Sequence, residues 1–520
     1  MKVCPFNDNK IKRWIKEGKM FYCFGAGAKL RSLCIKIDGF EEHIARIGDN
    51  SEKLWGTYFL APNREILIEN VVQITPSMSN YVVLLTTSFY KEVAKQLEDS
   101  GSFKEIDKLY FFPHKEELHL YRFNWFYSRL KLKKKIIFRS GNYRYIPGWD
   151  YTDNAKALFD YMIKEGYNQE YQMIWMVHEP HDYPEINKFY NVKAISYEWP
   201  KTKNLIRKIR YFYHLRTAEY LFFTDAMYWT RFCTEGQIRV NLWHGNGFKA
   251  KKNKNGAALG TYFDYTTVSG PIYLKLHEKY LGCSIDKIYD TGLAKEDLLF
   301  MPPQKGLDEI LHIPKAGKYI FWLPTFRVTV QELRSLNEYE LESDTGLPVL
   351  TTMEKVEELN SLLKELDISL IIKLHPVQEN SAVRKLNLSN IRVLSHIDIS
   401  QTGFQINSLL ALSDALISDF SSVAVDYVLR DKPLAFVLED EELYKESRGF
   451  VFEPLKDYLP GKELYNFEDM KLFLKNVADG LDPSEEKRYK MLPLMHSHQD
   501  GNSCKRILEL IGLGRQEELK

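Results

Sequence analysis

Short apolar runs alternate along this chain with stretches whose apolar positions recur every third or fourth residue, the pattern of buried strands separated by amphipathic helices. Runs that are apolar throughout suit strands covered on both faces, so the expected fold is α/β with mostly parallel sheets. No low-complexity tract or internal repeat breaks the alternation. A polar helix at Lys10–Glu17 leads to a strand at Met20–Phe24, the turn Gly25-Ala26-Gly27 and a helix from Ala28. A strand at Tyr81–Thr86 and a helix through Leu97 extend this layout toward Pro113. A second set of strands is expected at Met173–Val177, Ala194–Ser196, Tyr220–Thr224 and Arg239–Trp243. A third is expected at Tyr319–Leu323, Leu370–Leu374, Ile391–Leu394, Ala415–Ile417 and Leu434–Val437. Pro302-Pro303 opens a linker through residue 317, and the basic, aromatic run Tyr127–Phe138 marks an earlier boundary. The expected domains are therefore 1–135, 136–300 and 301–520.

Length agrees with this division, because 520 residues at roughly 100–200 per domain give about three, each able to bury a core unaided. The 71 Lys and Arg against 70 Asp and Glu leave a formal charge of +1, which removes any global attraction to nucleic acid. Six scattered cysteines, with no C-x-x-C pair, read as free thiols of a reducing compartment. The first residues lack the apolar core of a secretory signal, and no apolar run approaches a membrane span. The expected location is the cytoplasm, either free or on the inner face of the cell membrane. Leu205–Arg216 favours the latter, since it interleaves Arg207, Lys208, Arg210 and Arg216 with apolar residues, as does Arg129–Lys135. A solvated basic face explains the same residues.

Ligands of doubly wound sheets lie beyond the carboxyl ends of the strands, so the residues there are the ones to inspect. After Arg239–Trp243 comes His244-Gly245-Asn246-Gly247-Phe248-Lys249, an imidazole on a glycine-flanked turn and a candidate general base. Pro324-Thr325-Phe326-Arg327 offers a hydroxyl and a guanidinium, a pairing suited to phosphate. Lys373 and His375 share one strand face ahead of Pro376. Ser418-Asp419-Phe420-Ser421-Ser422 precedes a helical run in which Asp426 lies one turn beyond Ser422. Each has an ordinary structural explanation, a capped turn or a helix start; their co-occurrence at successive strand ends is what points to a site. The Gly25-Ala26-Gly27 turn, with Asp49 at ribose distance, has Leu30 where a dinucleotide fingerprint needs its third glycine. An accessory nucleotide-like fold without bound cofactor is the expectation there. The acidic run Glu439–Glu442 reads as solvated surface.

Taken together, Trp243-His244-Gly245 with Lys249, Thr291-Gly292 with Lys295 and Asp297, Pro324-Thr325-Phe326-Arg327, Lys373-Leu374-His375-Pro376 and Ser418-Asp419-Phe420-Ser421-Ser422 with Asp426 and Lys432-Pro433 resemble the CDP-glycerol glycerophosphotransferase family, which includes teichoic acid primases and polymerases. Tyr444, Arg448-Gly449-Phe450 and Pro460-Gly461 continue the likeness, which covers roughly residues 150–480. The resemblance implies a GT-B architecture of two facing Rossmann-like domains, here behind an extra N-terminal Rossmann-like domain. It also implies transfer of glycerol phosphate or ribitol phosphate from CDP-glycerol or CDP-ribitol to a polymer or lipid-linked acceptor. By the same likeness His244 is the base, while Gly245, Lys249, Lys295, Thr325, Arg327, Lys373, His375, Ser421, Ser422 and Asp426 hold substrate. The chain departs from the family at Asn246-Gly247, where Thr-Pro is usual, at Ala294-Lys295, where Pro-Arg is usual, and at Phe420, where Tyr is usual. Lys295 keeps the charge but loses the bidentate fork. No tightly bound cofactor is expected, with Mg2+ admitted only as a companion of the donor diphosphate. Two other classes stay open: a nucleotide-sugar glycosyltransferase of the same architecture, which would release a nucleoside diphosphate and not CMP, and a non-catalytic polymer-binding scaffold.

Overall fold

The computed structural model describes residues 2–70, 81–87, 90–100, 107–113, 115–141, 150–197, 204–224, 227–250, 259–325, 343–374, 388–447 and 449–515. Its contacts divide the chain into two units, Met1–Leu130 and Lys131–Lys520.

In the first unit seven strands run in the order Lys2–Pro5, Lys108–Phe111, Tyr81–Leu85, Met20–Phe24, Ile44–Asp49, Arg64–Asn70 and Tyr58–Ala61. Every pairing is parallel except the edge hairpin Tyr58–Ala61 with Arg64–Asn70. From Met20–Phe24 the chain passes to one side at Ile44–Asp49 and later to the other at Tyr81–Leu85, so the topological switch falls at Gly25-Ala26-Gly27. Asp49, the residue that the spacing aims at a ribose, accepts the Ala26 N–H at 2.8 Å and the Ser51 N–H at 2.9 Å. One carboxylate oxygen thus serves the Gly25-Ala26-Gly27 turn and the other the turn that follows Asp49 itself.

The second unit carries two parallel sheets. One runs Val192–Ser196, Gln172–Val177, Lys133–Arg139, Ala218–Phe223, Ile238–Asn241, Tyr265–Val268 and Ile288–Asp290. The other runs Ile391–Leu394, Ile368–Lys373, Lys318–Trp322, Ala415–Ser418, Leu434–Val437 and Lys462–Leu464. Their central strands are buried on both faces, which is why they read as unbroken apolar runs. Lys133–Arg139 is an inner strand of its sheet, between Gln172–Val177 and Ala218–Phe223, although its first three residues are lysines. Lys133 and Lys134 stay exposed at the strand's entry, and the buried Lys135 ammonium donates to the Thr217 hydroxyl at 2.6 Å.

The closing segment binds the unit together. Helix Glu485–Met495 packs into the core beside the third sheet through Met491 and Met495. Helix Ser503–Leu510 then returns to the second sheet, where Cys504, Ile507, Leu508, Ile511 and Leu513 join Ile136, Phe138 and Trp175. Sequence patterning gave no sign of this return and left residues 503–513 with the third sheet. Arg488, 2% exposed, anchors the first of these helices by donating to Asp431 at 2.8 and 3.0 Å and to Asp482 at 2.6 Å.

Arg488→Met keeps the volume but strands the Asp482 carboxylate, so we expect unfolding free energy to fall by on the order of 3 kcal/mol in urea titrations.

Candidate active site

The strand Ile238–Asn241 ends sooner than the apolar pattern suggests because the Asn241 side chain takes the Trp243 N–H at 3.1 Å. Trp243 then adopts φ +58°, a conformation that costs energy for any bulky residue, and Gly245 adopts φ +139°. The turn is held from behind. The Asn154 amide donates to the carbonyls of Leu242 and Trp243 at 3.3 and 3.0 Å, and the Thr267 hydroxyl donates to Leu242 at 3.0 Å. The Trp243 ring packs against the His244 imidazole at 4.4 Å between centroids, with His277 and Tyr280 edge-on to its other contacts at 4.8 and 5.4 Å. His244 is thereby presented on a rigid support.

Facing this turn is helix Ser422–Tyr427, which follows strand Ala415–Ser418 of the other sheet. Gly245 and Gly247 meet its start so closely that a Cβ on either would crowd Ser422: from Gly245 it would lie 2.7 Å from the hydroxyl, from Gly247 3.2 Å from Cα. Glycine is required here by close approach, as the glycine-flanked turn suggested. Ser421 precedes the helix without capping it through its side chain.

Between the two sheets lies the Lys295 ammonium. It donates to the His244 carbonyl at 3.0 Å, pairs with Asp426 at 3.2 Å and stands 3.7 Å from Asp153. Burial alone would favour loss of its proton. The Asp426 and Asp153 carboxylates outweigh that and raise its pKa above the ordinary lysine value. Asp426 is fully buried and also accepts from the Asn407 amide at 3.2 Å. Asn154 completes the frame, since its carbonyl oxygen takes the Lys295 N–H at 2.9 Å while its amide holds the His244 turn. Thr325 is fixed separately, its N–H and hydroxyl both donating to Asp419 at 2.7 Å.

A cavity of about 970 Å³ opens over this arrangement. Among the residues expected from sequence, His244, Lys249, Lys295, Thr325, Lys373, Ser421, Ser422 and Asp426 line it, and Gly245 packs behind. Arg327 and His375 lie outside the described residues. Asp297, part of the motif, serves the fold: its carboxylate accepts the N–H groups of Ser503 and Cys504 at 2.7 and 2.8 Å and so starts the last helix. Sequence reasoning missed Asp153, Asn154 and Asn407, none of which follows a strand in an obvious motif. Among the described residues no group of three or more His, Cys, Asp or Glu is placed to hold a metal ion.

The family model for CDP-glycerol:poly(glycerophosphate) glycerophosphotransferases matches residues 119–513. The teichoic acid ribitol-phosphate polymerase TarK of Staphylococcus aureus is 25% identical over 402 residues, 73% of this chain and 68% of that protein. TarL of the same organism, also a teichoic acid ribitol-phosphate polymerase, is 26% identical over 327 residues, 59% of this chain and 53% of that protein. The solved wall teichoic acid polymerase TagF superposes with a TM-score of 0.55 at 22% identity, covering 77% of this chain and 93% of that one. At that identity the superposition speaks for the fold alone.

Lys295→Met leaves Asp426 buried without its cation, and we expect a stability loss of about 3–5 kcal/mol. Lys295→Met combined with Asp426→Asn loses less than the first change alone, and a double-mutant cycle in urea measures the difference.

Proposed function

The chain belongs to the CDP-glycerol:poly(glycerophosphate) glycerophosphotransferase family, and on that premise we propose that it is a CDP-alcohol phosphotransferase acting in the assembly of a teichoic-acid-like or capsule-like polymer. The two sheets of residues 131–520 then form the facing lobes of a GT-B enzyme, the first carrying the acceptor side and the second the CDP-alcohol, and residues 1–130 form a Rossmann-like accessory domain. Glycerol phosphate or ribitol phosphate is the group carried. The observation that supports this most strongly is the convergence of the strand-end loops on one cavity: His244 and Lys295 from one sheet, and Thr325, Lys373, Ser421, Ser422 and Asp426 from the other.

In the proposed reaction an acceptor hydroxyl attacks the phosphorus that bears the alcohol. Its proton passes to the His244 imidazole, the bond from that phosphorus to the CMP oxygen breaks, and CMP departs with the electron pair. Charge grows on the phosphoryl oxygens and on the leaving phosphate, so preorganised donors matter more than a covalent group. Lys295, Lys373 and the serines supply them, together with Arg327 and His375, while Thr325 lines the cavity with its donors turned to Asp419. The carbonyl that Lys295 grips is that of His244 itself, so the cation beside the phosphates also fixes the backbone that aims the base. Attachment to an anionic membrane surface is part of this reading. Helix Leu205–Thr217 exposes Leu205 and Ile206 beside Arg207, and among the described residues no helix is long and apolar enough to cross a bilayer.

His244→Ala is expected to cut CMP release from CDP-glycerol or CDP-ribitol by roughly 10²–10⁴ while leaving donor affinity near wild type. Steady-state CMP release alongside calorimetric donor binding checks both parts, and turnover at the wild-type rate removes His244 from the mechanism.

A further inference from the structure

Beneath the cavity a second bridge joins the same two loops, built from ionisable groups that the proposed chemistry does not use. Glu296 follows Lys295, and Val425 precedes Asp426; between Glu296 and Val425 stands His496, just beyond helix Glu485–Met495. Glu296 is 2% exposed and His496 1%. The His496 Nε2 donates to the Val425 carbonyl at 2.8 Å, and its Nδ1 lies 3.7 Å from Glu296 Oε1. The other Glu296 oxygen accepts the Leu293 N–H at 2.9 Å.

A carbonyl can only accept, so the proton on Nε2 is fixed. Nδ1 and Glu296 Oε1 then face each other, and neither has a hydrogen-bond partner. Without a proton between them, a lone pair would confront a buried carboxylate. The surroundings argue the same way. The groups acting on the pair are Lys295, Asp426 and the buried Tyr273 hydroxyl. Lys295 and His496 stand among three carboxylates, Glu296, Asp426 and the partly exposed Asp153, so charging His496 leaves one negative charge in excess, whereas a neutral His496 leaves two in a largely desolvated interior. Burial by itself would depress the imidazole, but the Glu296 carboxylate reverses this and holds its pKa above the ordinary value, while burial raises Glu296.

The backbone that carries the imidazole is also closely packed. Gly270 runs so close to the end of helix Glu485–Met495 that an added Cβ would lie 2.3 Å from the Met495 carbonyl and 2.7 Å from the His496 nitrogen. The Ser497 N–H continues the contact by donating to Ser269 at 3.1 Å.

We propose that Glu296 and His496 are positioning residues, a buried ion pair of carboxylate and imidazolium, which sets the approach of Lys295 to Asp426 and so the alignment of the two loops around the donor phosphates. Neither touches substrate. Its catalytic consequence rests on the CDP-alcohol reading, whereas the ionisation and the coupling do not. The folded state binds a proton that the unfolded chain releases near the ordinary imidazole value. The stabilisation is therefore complete below that value and disappears as pH rises through the raised folded value.

Three measurements on the full chain decide it. Nitrogen-15 NMR of the imidazoles, with His496 assigned through its absence in His496→Gln, should find His496 cationic at pH 7.5; a neutral ring there overturns the proposal. Thermal unfolding should drop for His496→Gln and for Glu296→Gln singly but recover in the double variant; additive losses overturn it. In CMP release, His496→Gln should lower kcat at least tenfold with donor KM near wild type, and the alkaline fall of the wild-type profile should be absent from the double variant. Unchanged kcat, or an alkaline limb that survives, overturns the positioning role. Should wild type release no CMP from either donor, the CDP-alcohol reading fails, and the NMR and unfolding results still decide the pair.

Discussion

A lysine ammonium removed from water is the constraint around which the second unit is arranged. Its desolvation is tolerable only because Asp426 stands 3.2 Å away and the His244 carbonyl completes the coordination. Those partners belong to different sheets, so the charge stays satisfied only while the sheets hold their mutual placement. Within the first of these sheets Asn154 ties the two loops together with both ends of one amide, taking the Lys295 N–H and holding the Trp243 carbonyl. The strained backbone of Trp243 persists because these contacts over-determine it.

Such an arrangement suits phosphate chemistry for an electrostatic reason. Near a desolvated cation a polyanionic donor meets a field that bulk water would screen, and the field is in place before the donor arrives. The paired carboxylates keep the empty cavity from carrying a large excess of positive charge.

Much of the fold was legible because parallel strands buried on both faces leave an uninterrupted apolar signature, as at Met173–Val177 and Ala415–Ile417. Lys133–Arg139 was not, since its lysines hide an inner strand; the Lys135 ammonium finds Thr217 only after helix Leu205–Thr217 has packed. Tyr265–Val268 and the edge strand Ile288–Asp290 were missed because they are short. Within the site, residues at strand ends were readable from position alone. Asp153 and Asn154 were not, because they begin a helix and look like the ordinary polar start of one. Glu296 and His496 are 200 positions apart, and nothing in the neighbourhood of either points to the other.

The return of helix Ser503–Leu510 to the second sheet also governs how this polypeptide must be made. Translation delivers the strands of that sheet early, yet Ile507, Leu508 and Leu513, which complete its interior, emerge only after every strand of the third sheet as well. The Tyr167 hydroxyl, which donates to the Leu513 carbonyl, waits equally long for its acceptor. A nascent chain halted short of helix Ser503–Leu510 would hold an unfinished hydrophobic interior open to water, the condition in which chaperones bind and aggregation begins. The first unit draws its sheet from residues 2–111 alone, so its interior closes without waiting for a segment made so much later.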